Sequence, residues 1–140
     1  MHLNTYLFFD GQCEAAFSFY EKLLGGKITA MMPHAGTPAE NSVPKEWREK
    51  IIHARLVIGD QVLMGSDAPP AHEQQPQGFS VSIGVSDPAE AERIFRALEE
   101  NGKVTMPLGE TFWATRFGML VDRFGIPWMV NCEKAVEKAA

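Results

Sequence analysis

Apolar bulk runs at strand length over residues 3–9 (LNTYLFF) and stops at Asp10-Gly11, which predicts a strand leading into a turn. From Cys13 the spacing changes: Ala16, Phe17, Tyr20, Leu23 and Leu24 recur at intervals of three and four, so one face of a helix is apolar. Gly25-Gly26 ends it, because glycine accepts the left-handed backbone of a helix C-terminus. Residues 27–32 (KITAMM) predict a second strand. Residues 33–50 carry three prolines and a glycine and read as a loop with a short helical turn around Lys45–Glu49. Long loops in compact domains are often functional. Residues 51–58 (IIHARLVI) and 61–66 (QVLMGS) flank Gly59-Asp60, the pattern of a tight hairpin. The order is β-α-β-β-β.

After a proline-rich linker over residues 68–78, the order begins again. A strand (79–85) meets Asp87, a good N-cap, and Pro88, suited to a first helical turn. Ala91, Ile94, Phe95 and Leu98 share one face of the helix from Pro88 to about Glu100, and Asn101-Gly102 ends it. A strand (103–107), a loop (108–114) and a hairpin (115–121, 126–131) follow. An offset of 76 carries Glu14-Ala15 onto Glu90-Ala91, Phe19 onto Phe95 and Gly26-Lys27-Ile28 onto Gly102-Lys103-Val104, and an offset of 64 carries Leu56-Val57 onto Leu120-Val121. Recurring residues in a recurring order of elements indicate a duplicated module. The expected organisation is one α+β domain over residues 1–140: module 1 at about 1–67, the linker at 68–78, module 2 at about 79–133 and a C-terminal tail at 134–140.

Composition narrows the function. Eighteen acidic residues against 13 basic ones leave a net charge of −5, so no basic stripe exists to displace counterions from nucleic acid. No apolar run approaches the ~20 residues that span a bilayer, and Met1-His2-Leu3-Asn4 lacks the basic and apolar parts of a signal peptide. The expectation is a cytoplasmic protein without nucleic-acid or membrane partners. Cys13 and Cys132 form no zinc spacing and read as free thiols.

Several stretches carry a family resemblance: Phe9-Asp10-Gly11-Gln12-Cys13-Glu14-Ala15-Ala16-Phe17 through Phe19-Tyr20, Gly59-Asp60-Gln61-Val62-Leu63-Met64 with Ser66-Asp67, Met106-Pro107-Leu108 with Glu110-Thr111-Phe112-Trp113, and Asp122-Arg123-Phe124-Gly125 with Trp128-Met129 and Asn131. Together with the duplicated β-α-β-β-β order they resemble the PhnB-like branch of the vicinal oxygen chelate superfamily, which includes glyoxalase I, extradiol dioxygenases and bleomycin-resistance proteins. The resemblance implies a curled mixed sheet around a cleft and a homodimer. It also implies metal-ligand positions near Thr5, Leu63 or Met64, Ser80 and Met129. These neutral side chains are poor ligands for a divalent ion, so neither a metal nor another cofactor is expected. A rearranged site using His53, Asp67 or Glu110 is the alternative.

The candidate ligand-binding residues are His53, Arg55, Met64, Glu110, Trp113, Arg116, Met129 and Asn131. His53 and Arg55 alternate with Ile52, Ala54, Leu56 and Ile58 and share the other strand face, where they suit an anionic or carbonyl group. Glu110, Phe112 and Trp113 put a carboxylate beside aromatic surface. Met129 and Asn131 alternate with Trp128 and Val130, and the family's cleft-facing position sends the first pair inward, with Arg116 placed across the hairpin from Asn131. Against each stands a plain structural reading as solvated strand face, strand corner or core filler.

Two functions compete. One is metal-independent binding of an unknown small molecule, for sequestration or sensing. The other is a metal-dependent lyase, isomerase or dioxygenase. PhnB-like sequences also carry a demethylubiquinone methyltransferase label. It ranks last here, because no glycine-rich strand-to-helix loop such as GxGxG is present to hold S-adenosylmethionine.

Overall fold

A computed structural model of the chain describes residues 1–69 and 75–134. The middle of the expected linker and all but the first residue of the expected tail lie outside the described residues. The chain divides into two compact units, Met1–Gln75 and Pro76–Ala140.

The first unit contains β1 (Thr5–Phe9), α1 (Cys13–Leu24), β2 (Lys27–Pro33), two 3₁₀ turns (Glu40–Ser42 and Lys45–Trp47), β3 (Ile51–Ile58) and β4 (Gln61–Asp67). The second contains β5 (Val81–Gly84), α2 (Pro88–Glu99), β6 (Lys103–Gly109), β7 (Ala114–Val121) and β8 (Pro127–Glu133). Each unit folds one mixed sheet, in the orders β1-β4-β3-β2 and β5-β8-β7-β6. The outer pairs β1/β4 and β5/β8 are parallel and the other pairs antiparallel. These are the two β-α-β-β-β modules that the pattern predicts.

Register shows how closely one unit repeats the other. Thr5 stands opposite Leu63, and Leu63 opposite Leu56; Val81 stands opposite Trp128, and Trp128 opposite Leu120. Gly26 and Gly102, matched by the sequence offset, show why the glycine recurs. A β-carbon on Gly26 would lie 2.6 Å from the Val57 carbonyl oxygen, and one on Gly102 would lie 2.5 Å from that of Val121. The chain leaving each helix presses on the same carbonyl of the adjoining strand.

The core of each unit lies between helix and sheet. In the first, Ala16, Phe17, Tyr20 and Leu23 of α1 pack with Leu7, Phe9, Ala54, Leu56 and Leu63. In the second, Ala91, Ile94, Phe95 and Leu98 of α2 pack with Leu120, Trp128 and Val130. Burial of this kind contributes about 25 cal/mol per Å² of apolar surface. Helix starts differ. Asp87 caps α2 by accepting from the Ala89 N–H at 3.0 Å, as the sequence predicts. Gln12 offers α1 no side-chain cap.

Strand ends moved where burial or pairing failed. Leu3 is fully exposed and pairing begins only at Thr5; Phe79 is likewise exposed, and β5 begins at Val81. Strand β6 runs on to Gly109, which pairs with Phe117. Ile126 joins the turn, where its N–H reaches Asp122, and β8 extends to Glu133.

Candidate functional site

Because α1 covers one face of the first sheet, strand alternation sends Tyr6, Phe8, His53, Arg55 and Met64 to the other, open face. Ala30, Arg55, Met64 and Tyr6 form one row across β2, β3, β4 and β1. The Tyr6 hydroxyl lies 3.2 Å from His53 Nδ1, and the two rings stack with centroids 5.8 Å apart. Phe8 sits 5.2 Å from Tyr6 and is 61% exposed. Arg55 Nη1 donates to Thr29 Oγ1 at 3.2 Å. Among the described residues no carboxylate lies within ion-pair distance of Arg55.

The open face of the second sheet has different chemistry. Met106, Met119, Met129 and Ser82 form the matching row across β6, β7, β8 and β5. Trp113 meets Phe112 and Phe117 edge-on, at 4.8 and 5.2 Å. Asn131 stands in register between Phe117 and Gly84. Its Oδ1 is shielded and has no hydrogen-bond partner among the described residues, at a hollow of about 420 Å³ lined by Gly84, Val85, Ser86 and Glu133. A shielded acceptor of this kind costs about 1–3 kcal/mol until a donor reaches it.

Two candidates from the sequence sit apart from these rows. Glu110 is exposed and lies 3.8 Å from Lys134 Nζ, a surface pair worth about 0–1 kcal/mol. Arg116 stands opposite Cys132, not Asn131, and its Nε donates to Glu92 of α2 at 3.2 Å. The expected juxtaposition of Arg116 with Asn131 is therefore corrected: Ile126 belongs to the turn, Val121 pairs with Pro127, and the unbroken register from there gives Asn131 Phe117 as its neighbour. Strand alternation then turns Arg116 toward the helix.

Buried acids in the family motifs serve as joints. Asp67 accepts from the Cys13 N–H through Oδ1 and from the Ile51 N–H through Oδ2, both at 2.9 Å, which satisfies the start of α1 from a distant strand. A hollow of about 490 Å³ beside it is lined by Gly11, Gln12, Lys50 and Asp67, among others, but Lys50 Nζ already donates to the Gly11 carbonyl at 3.0 Å. Asp122 accepts from the Phe124 and Ile126 N–H groups and from Trp128 Nε1. Cys13 and Cys132 are buried free thiols. Burial, with Asp67 and then Glu14 nearby, pushes the Cys13 thiol far above its ordinary range, so it is no nucleophile.

The implied metal positions resolve through register. Thr5 and Leu63 pair with each other, and Leu63 is buried on the covered face. Ser80 lies before β5, outside the pairing, so its place passes to Ser82. The paired open-face positions are Tyr6 with Met64 and Ser82 with Met129. A phenol, a hydroxyl and two thioethers do not fit a hard or borderline divalent ion, which needs imidazole, carboxylate or thiolate. Among the described residues no three His, Cys, Asp or Glu gather elsewhere in a way that would hold one.

The family model of the Glyoxalase/Bleomycin resistance protein/Dioxygenase superfamily matches residues 2–130. The chain belongs to this superfamily. Protein YjdN of Escherichia coli (strain K12) is 34% identical over 142 residues, covering 96% of this chain and 97% of that one. The crystal structure of protein PA1353 from Pseudomonas aeruginosa is 50% identical with a TM-score of 0.88, over 96% and 99% of the two chains. A PhnB protein from Bacillus cereus, 24% identical, matches in fold with a TM-score of 0.81 over 94% and 99%. The superfamily's fold is a small-molecule-binding one, and PhnB-like proteins are among its structural neighbours here, as the motifs imply. No described helix is long and apolar enough to cross a membrane.

Sequence reasoning missed Tyr6, Phe117 and Met119 as open-face residues. The signal was available for all three: Tyr6 alternates with the buried Leu7, and the offset of 64 carries His53 and Arg55 onto Phe117 and Met119.

Proposed function

We propose that this protein binds a small molecule without a divalent metal, as a cytoplasmic homodimer that sequesters or senses its ligand. The observation that carries the reading is the donor set at the paired open-face positions, Tyr6 with Met64 and Ser82 with Met129, where charged ligands would have to stand. The shielded, unpartnered Asn131 Oδ1 beside a hollow supports it, because a ligand donor would relieve a standing cost. His53, Arg55, Met64, Trp113, Met129 and Asn131 are the residues proposed to meet ligand. Glu110 is left to Lys134 and Arg116 to Glu92 of α2.

Metal analysis of purified, dialysed protein tests this reading. We expect less than a tenth of an equivalent of any divalent ion, on the order of contamination, against one equivalent for a resident metal. A thermal-shift screen then follows, since a ligand at a hundred times its Kd stabilises by about 2.7 kcal/mol. One tightly held divalent ion per chain would overturn the reading in favour of a metal-dependent lyase, isomerase or dioxygenase.

A further inference from the structure

We propose that the open face of the first unit's sheet takes a planar organic anion, an aromatic carboxylate in its simplest form. The ring lies against Tyr6 and Phe8 and the carboxylate on Arg55. This rests on the small-molecule reading above and adds the ligand's charge and shape.

Arg55 is the first ground. Arg93 and Arg116 have Glu90 and Glu92 as partners, whereas Arg55 is engaged only by the neutral Thr29 hydroxyl and has no carboxylate beside it among the described residues. In a chain of net charge −5, such a cation on a half-buried sheet face is a place for an outside anion. A guanidinium carries five donors in a planar fork, so one bond to Thr29 leaves the geometry that suits a carboxylate.

The second ground is aromatic surface in the same row. Tyr6 and Arg55 stand on β1 and β3 with Met64 of β4 between them, two strand spacings or about 10 Å apart. A six-membered ring with one carboxylate, met by the long Arg55 side chain, bridges that span. Met64 supplies a pliable thioether floor, and the exposed Phe8 ring stands beside Tyr6.

His53 is the third. When the Tyr6 hydroxyl donates to Nδ1, the neutral imidazole carries its proton on Nε2, which becomes a second donor for the anion. None of this recurs in the second unit, where Met119, Phe117 and Ser82 occupy the places of Arg55, His53 and Tyr6. The assignment is therefore specific to one face.

Titration of the full chain with benzoate, benzamide and benzylamine, followed by NMR of ¹³C-methyl methionines, tests it. We expect benzoate to shift the Met64 methyl and to bind at least about tenfold tighter than benzamide. Arg55→Gln should remove that preference by weakening benzoate far more than benzamide, and Arg55→Lys, which keeps charge but loses the fork, should fall between. Equal binding of benzoate and benzamide, preference for benzylamine, a shift confined to Met129, or benzoate affinity indifferent to Arg55→Gln would each overturn the assignment. Those results would leave small-molecule binding standing. Absence of binding by all three probes overturns the assignment too, and the separate metal analysis then decides the underlying reading.

Discussion

The two units share a register and differ in what they put on it. Ala30, Arg55, Met64 and Tyr6 cross the first sheet; Met106, Met119, Met129 and Ser82 cross the second at the same places. In the cores of the covered faces the matched residues stay apolar, with Leu56 matching Leu120 and Leu63 matching Trp128, whereas at the strand end Arg116 stands where the offset of 64 gives Ile52. On the open faces they diverge into cation, imidazole and phenol on one side and thioethers, aromatics and the Asn131 amide on the other. Packing against a helix constrains volume and polarity closely. An open face carries no such constraint, so this is where the copies were free to acquire separate chemistry.

The joints differ as well, and the largest expected effects lie there. Asp67 ties the end of β4 to the starts of α1 and β3, while Asp122 ties the β7–β8 turn to Trp128. Asp67→Asn and Asp122→Asn each turn an amide N–H toward an existing donor, and each should cost about 3 kcal/mol, read from the midpoint of urea unfolding. A cost below about 1 kcal/mol for either would mean that its unit is not held by a buried carboxylate.

Glycine substitutions sharpen the comparison at matched positions. Gly26→Ala and Gly102→Ala should each cost about 2 kcal/mol through overpacking. The second should be costlier, because backbone atoms of Val121, Asp122 and Leu98 box Gly102, whereas side chains of Ile58 and Leu56 supply two of the three contacts at Gly26. Equal or reversed costs would break the claim that backbone, unlike a side-chain end, cannot give way.

A smaller effect is confined to alkaline solution. Cys13 matches Ala89 by the offset of 76, and burial holds its thiol neutral in the folded chain. The unfolded chain ionises this thiol in the ordinary range, so it binds fewer protons there than the folded chain. Stability is therefore full below that range and falls as pH rises through it, by about 1.4 kcal/mol per unit. Cys13→Ala, which gives the first unit the residue of the second, should flatten that slope by this amount in unfolding measured from pH 8 to 10.5. An unchanged slope would show that the thiol is not held neutral.

Legibility in the sequence follows the range of the interactions. Period-two and period-3.6 patterns, the Asp87 cap and the recurring Gly26 and Gly102 were all readable, because each is a local demand of backbone and burial. So were the phases of His53 with Arg55 and of Met129 with Asn131. Arg116 was misplaced against Asn131 because Ile126, read as the first residue of the last strand, is held in the turn by Asp122, and the resulting one-residue shift of register leaves no mark in the residue pattern.

By itself, then, the sequence determined the two modules, their order of elements, the apolar face of each helix and the superfamily, since these rest on neighbours a few residues apart or on a repeat visible by offset. Only the tertiary structure decided that Tyr6 meets His53 across 47 residues, that Asp67 reaches Cys13 across 54, and that the Asn131 side-chain Oδ1 goes without a donor among the described residues. Those outcomes depend on strand register and side-chain geometry, which arise when distant segments close on one another.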